Sequence, residues 1–80
     1  MTDSRVLLYT KPGCHLCEAA EATIAEICSE LDVGWDSVNI LDDPDLFETY
    51  GDQIPVTFVD GKQHDFWRVD PTRLRSALTR

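Results

Sequence analysis

Basic residues are scarce in this sequence. Seven Lys and Arg stand against fifteen Asp and Glu, for a formal charge of −8. That balance argues against nucleic acid or an anionic membrane as partner, because both need a basic surface. Long apolar runs are also missing. The run Val6–Tyr9 is too short for a signal-peptide core or a membrane span. The first residues, Met1-Thr2-Asp3-Ser4, are acidic rather than basic. No targeting segment is therefore expected, and the expected compartment is the cytoplasm, where thiols stay reduced. Repeats, low-complexity stretches and linkers are absent. Eighty residues suit one small domain with a single core and room for one site, and a monomer is expected. Cysteine is limited to three, an odd count that does not fit a secreted disulfide framework.

What is present is an alternation of element types. Arg5–Thr10 carries Val6-Leu7-Leu8-Tyr9 and reads as a strand buried on both faces. Lys11-Pro12-Gly13 breaks it. From Cys14 to Leu31 the apolar residues fall at Ala20, Ile24, Ile27, Cys28 and Leu31, which is helical spacing, with glutamates on the other faces. Val33–Ile40 is β-rich. Asp43-Pro44 is an N-cap followed by Pro at the first helical position, Leu46, Phe47 and Tyr50 give that helix an apolar side, and Gly51 stops it. Val56–Val59 and Lys62–Trp67 flank Asp60-Gly61, a two-residue hairpin turn. Asp70-Pro71 repeats the capping signature before a last helix with Leu74, Ala77 and Leu78 inward. The order β-α-β-α-β-β-α predicts an α/β fold with a mixed four-stranded sheet flanked by helices, its first two strands parallel.

The chemistry concentrates at Cys14-His15-Leu16-Cys17, where the first strand meets the first helix. Two cysteines three apart lie one turn apart and can close a small disulfide ring. The helix N-terminus carries partial positive charge and unpaired N–H groups, which stabilise a thiolate, the reacting species. Cys14, nearest that end and most exposed, is expected to be the nucleophile, and Cys17, one turn in and shielded, the resolving thiol. Lys11 supports a thiolate at Cys14 by charge, His15 does so only when protonated, and Glu18 opposes it. A structural zinc site usually needs two such pairs; here one pair accompanies scattered Cys28, His15 and His64, so no metal ligand set is expected. An iron–sulfur cluster bridging two copies would need extra thiols. Cys28 reads as a small buried apolar residue, His64 as an exposed strand residue, Trp67 as packing, Arg68 as a surface arginine and Asp70 as a cap.

Tyr9-Thr10-Lys11-Pro12-Gly13-Cys14-His15-Leu16-Cys17 resembles the active-site stretch of glutaredoxins, and Ile54-Pro55 before a strand resembles the cis-proline segment of the thioredoxin superfamily. Asp42-Asp43-Pro44-Asp45-Leu46 is similar to the region entering the second glutaredoxin helix. The resemblance implies a thioredoxin-like fold and a thiol–disulfide oxidoreductase. It implies Cys14 and Cys17 as catalytic pair and Lys11, His15, Ile54 and Pro55 as substrate-binding residues, with Pro55 cis and the Ile54 backbone pairing to substrate. It further implies no tightly bound cofactor, glutathione as a co-substrate, a disulfide-containing protein or glutathione as partner, and a reductase as electron source. One departure stands out. Glutathione-binding glutaredoxins carry a Gly-Gly-x-Asp-like turn before the last helix, and this chain has Asp65-Phe66-Trp67-Arg68-Val69-Asp70 instead. The alternative from another class is a redox-inert module, or a metal- or iron–sulfur-binding one, that keeps the fold for interaction.

Overall fold

The structure, a computed structural model, describes residues 4–79, so the acidic Met1–Asp3 stretch lies outside the described residues. The elements are β1 (Ser4–Thr10), α1 (His15–Leu31), β2 (Gly34–Asn39), a 3-10 turn at Ile40–Asp42, α2 (Pro44–Tyr50), β3 (Val56–Val59), β4 (Lys62–Phe66) and α3 (Pro71–Leu78). The sheet order is β2-β1-β3-β4. β1 and β2 run parallel, while β3 is antiparallel to both β1 and β4. The predicted element order and mixed sheet are both present.

Alternation along β1 sorts the core into two layers. Val6 and Leu8 are fully buried against Ala20, Ile24 and Ile27 of α1 and Leu74 and Leu78 of α3. Tyr9 faces the other way, where its ring packs on Tyr50 of α2 and Phe58 of β3 at centroid distances of 5.2 and 5.0 Å. The expectation that β1 is buried on both faces needs correcting. Leu7 and Tyr9 are only half-buried, because seven-residue α2 covers its side of the sheet less fully than α1 and α3 cover theirs.

Local turn chemistry fixes the junctions. Asp43 caps α2 by accepting from the Asp45 and Leu46 amides, and Asp70 caps α3 by accepting from those of Thr72 and Arg73. Asp60 and Gly61 have φ of +52° and +82°, as the hairpin turn demands. Gly51 ends α2 without entering the left-handed region: a Cβ there would meet the Phe47 carbonyl oxygen at 2.6 Å.

The structure differs from the sequence reading at the end of β2, at the end of β4 and within β4. Ile40 leaves β2 and opens the 3-10 turn, where Asn39 Oδ1 accepts from the Leu41 amide. Trp67 lies outside β4, with φ of +64°. Within β4, His64 is the extra residue between Gln63, paired to Phe58, and Asp65, paired to Thr57. This β-bulge turns His64 inward, so it is half-buried rather than exposed.

Two substitutions check this account in chemical denaturation. Ile24→Ala removes a fully buried side chain and is expected to cost about 2–5 kcal/mol. Asp43→Ala removes a cap and is expected to cost about 1 kcal/mol.

Candidate functional site

α1 begins at His15, so Cys14 is its N-cap rather than its first helical residue. The cap is made by sulfur: the Cys17 backbone N–H donates to Cys14 Sγ at 3.2 Å. The Cys14 carbonyl accepts from the Glu18 amide at 3.2 Å, which starts the helix. Lys11-Pro12-Gly13 brings the chain from β1 into this position, and Gly13 has φ of +74°, a conformation that suits glycine.

The two thiols sit in different surroundings. Cys14 is half-exposed and Cys17 is buried, and neither is in a disulfide. Burial, and after it a hydrogen bond with the Cys14 side chain, together push the Cys17 thiol from 9.0 up to about 11, against an opposing hydrogen bond from the Lys11 backbone. Cys17 belongs to an apolar cluster with Ile40, Ile54 and Val56, and Cys14 packs against its edge. Cys28 is buried among Ile24 and Ile27 in the other cluster, as expected, and burial raises its thiol too.

A groove of about 250 Å³ opens beside the pair, lined by Lys11, Cys14, Cys17, Glu18, Glu21 and Asn39 among others. Glu21 is seven residues beyond Cys14 on the same helix face. Asn39 escaped the sequence reading. It ends β2 opposite Thr10, the last residue of β1. Parallel strands end together there, and that side of a sheet commonly holds the site.

The predicted substrate-binding residues divide. Lys11 lines the groove and is exposed. The Ile54-Pro55 bond is cis, and both residues are buried, with Ile54 in the Cys17 cluster. His15 stands apart. Its side chain is 98% exposed, lies 3.8 Å from Glu18 and does not line the groove, because the residue after the cap points away from the strand ends. Trp67 also corrects the reading as packing. It is 52% exposed, yet its backbone N–H donates to the Pro55 carbonyl at 2.7 Å and its indole N–H to the Asp52 carbonyl at 2.9 Å. No short-range signal announces such a role.

A family model described as glutaredoxin-like domain (DUF836) matches residues 5–79. The chain belongs to this glutaredoxin-like family. A Mycobacterium tuberculosis protein described as uncharacterized is 37% identical over 87 residues, across 100% of this chain and 88% of that one. The X-ray structure of target protein XcR50 from X. campestris is 32% identical, with a TM-score of 0.76 over 92% of this chain and 95% of its own. Holo glutaredoxin C1 from populus tremula x tremuloides, at 18% identity, has a TM-score of 0.60 over 95% of this chain and 84% of its own, a likeness of fold. The glutaredoxin-like chain thus has the α/β fold shared by thioredoxins and glutaredoxins, with a nearby Cys14 and Cys17 pair compatible with redox function.

The unequal thiols make two outcomes measurable. With iodoacetamide near neutral pH, the reduced protein should be alkylated at Cys14 well before Cys17 or Cys28, as read by peptide mass. Above pH 9.0 an unfolded chain gives up the Cys17 proton while the folded one holds it to about 11. The stabilisation present below that range is therefore lost as pH rises through it. The urea midpoint should fall with pH more steeply in the reduced wild type than in Cys17→Ser.

Proposed function

We propose that the protein is a dithiol thiol–disulfide oxidoreductase with Cys14 as nucleophile and Cys17 as resolving thiol. The observation that carries this reading is the amide hydrogen bond on Cys14 Sγ at a half-exposed helix N-cap, one turn from a buried second thiol. The N–H aimed at Cys14 Sγ holds that sulfur at the open end of the helix, where an incoming disulfide can meet it.

Cys14 thiolate attacks one sulfur of a target disulfide; a Cys14–target bond forms, the target S–S bond breaks, and the departing thiolate takes a proton. Cys17 then loses its proton and attacks Cys14 Sγ. The Cys14–Cys17 bond forms, the mixed disulfide breaks, and the second target sulfur leaves and is protonated. The target gains two electrons and two protons in total, and the cysteine pair loses them. An external reductant, either a thiol such as glutathione or a reductase, returns the pair to its starting state, so the protein works in a reducing compartment.

The high proton affinity of Cys17 has a role in this order of events. A thiol held protonated to about 11 does not compete with Cys14 for the incoming disulfide. It becomes useful once Cys14 is tied up in the mixed disulfide, when the attack is intramolecular and the local concentration is high.

Lys11 supplies a cation at the groove, where it can meet a substrate carboxylate. Ile54, at the buried cis Ile54-Pro55 bond, shares the apolar cluster of Cys17 and does not itself line the groove.

Trapping tests the mechanism. With a peptide disulfide, Cys17→Ser is expected to accumulate one covalent adduct per chain through Cys14, released by dithiothreitol. Cys14→Ser is expected to form none and to reduce the disulfide no faster than buffer does. Equal adduct formation by both variants, or none by either, would overturn the reading.

A further inference from the structure

A second hollow lies against α1, about 230 Å³, and the proposed redox mechanism does not use it. Leu16, Ala19 and Ala20 of the helix form one wall, and Trp67, Arg68 and Val69 form the other. The groove at the cysteines uses positions 14, 17, 18 and 21 of the chain, whereas this one uses 16, 19, 20 and 23. At 100° per residue the two stripes lie on nearly opposite sides of the helix. Both start in its first turn, so an extended substrate joined to Cys14 can reach into this hollow.

The hollow is apolar and held open. Leu16 and Trp67 are 42% and 52% exposed, large apolar groups that a lone folded chain leaves uncovered. Trp67 cannot swing aside freely. Its amide is bonded to the Pro55 carbonyl, its indole to the Asp52 carbonyl, and its ring packs edge-on against Phe66 at 5.0 Å. Its φ of +64° is costly for an aromatic residue and persists only where surroundings over-determine it, a condition common at binding sites. The segment's far end is fixed as well. Asp65 accepts from Arg73 at 3.1 Å and from the Asp70 amide at 3.4 Å.

Arg68 supplies the polar group. Arg5, Arg73 and Arg75 each hold a carboxylate, on Asp60, Asp65 and Glu30 respectively. The Arg68 side chain is exposed and has neither an ion pair nor a hydrogen bond within the described structure. A cation left unpaired at the lip of an apolar hollow, in a chain of charge −8, complements an acidic group next to an apolar one. Glutathione has carboxylates but no apolar side chain to fill the space. A polypeptide has both.

We propose that this hollow docks polypeptide disulfide substrates carrying an apolar and an acidic side chain beside the half-cystine, with Arg68 as the residue that selects the acid. The inference rests on the oxidoreductase reading and adds to it a class of substrate. Electron transfer is the exchange already described; Arg68 positions the substrate and takes no part in it.

The test uses two redox-silent peptides in which serine replaces cysteine, one with a Phe-Ser-Glu core and one with Phe-Ser-Lys. Binding to the full chain is followed by NMR at the Leu16 methyl and Trp67 indole signals. The acidic peptide should shift both and bind about 3-fold more tightly, a preference that fades with added salt. Arg68→Lys should keep the preference, Arg68→Gln should lose it and Arg68→Glu should reverse it. The same ranking in Arg68→Glu as in wild type would overturn the proposal. So would shifts confined to the Lys11 groove, or glutathione disulfide moving the Leu16 and Trp67 signals as strongly as the peptide does. Turnover of hydroxyethyl disulfide by the wild type reports the redox reading separately. Turnover without peptide docking sinks this inference alone, whereas docking without turnover sinks the oxidoreductase reading and with it the substrate role of the hollow.

Discussion

The hydrogen bond from the Cys17 amide to Cys14 Sγ serves two purposes that usually fall to different groups. A helix must satisfy the N–H groups of its first turn, and Ser, Thr, Asp or Asn normally accepts them. α2 and α3 follow that rule with Asp43 and Asp70. α1 uses a thiol, a weaker acceptor when neutral and a much better one when ionised. The start of the helix and one member of the cysteine pair are thereby fixed by the same bond. The same turn carries Cys17 into the apolar cluster with Ile40, Ile54 and Val56, so the second thiol is buried by the geometry that exposes the first. The ends of β1 and β2, the cis Ile54-Pro55 segment and the Trp67 backbone all converge on this turn.

Much of this was legible in the sequence, because much of it is local. Asp43-Pro44, Asp60-Gly61 and Asp70-Pro71 each work within four residues, and each did what its chemistry requires. The cysteine pair could be assigned exposed and shielded places from its position at one helix start. What escaped depends on pairing between distant segments. The His64 bulge is set by register against β3. The left-handed Trp67 is fixed by the Asp52 and Pro55 carbonyls, twelve or more residues earlier. Asn39 joins the site because β2 ends where β1 does. His15 lies outside the groove for a simpler reason: on a helix the residue after Cys14 turns about 100° away.

The scarcity of cations acquires a structural meaning once the ion pairs are placed. Arg5 ties β1 to the hairpin at Asp60 and to the Leu78 carbonyl of α3. Arg73 joins α3 to β4, and Arg75 joins α3 to Glu30 of α1. These pairs are exposed or partly so, and each is worth little in stability. Their larger effect is to occupy charge. Few cations remain to meet a partner, and Lys11 and Arg68 are placed on the two grooves that flank the first turn of α1.

The bulge at His64 has a further consequence at the rim of the sheet. β4 and β2 are the outer strands, and each presents backbone groups on which a second chain could add a strand. A bulge interrupts that regular row in β4, beside exposed Lys62 and Gln63. β2 offers exposed Asp36 and Ser37 on its own rim, with Asp36 already held by the Ser4 hydroxyl. Charge on one margin and an irregular ladder on the other disfavour edge-to-edge stacking. A chain that leaves apolar Leu16 and Trp67 uncovered thus offers a second copy no uniform, uncharged margin along its sheet.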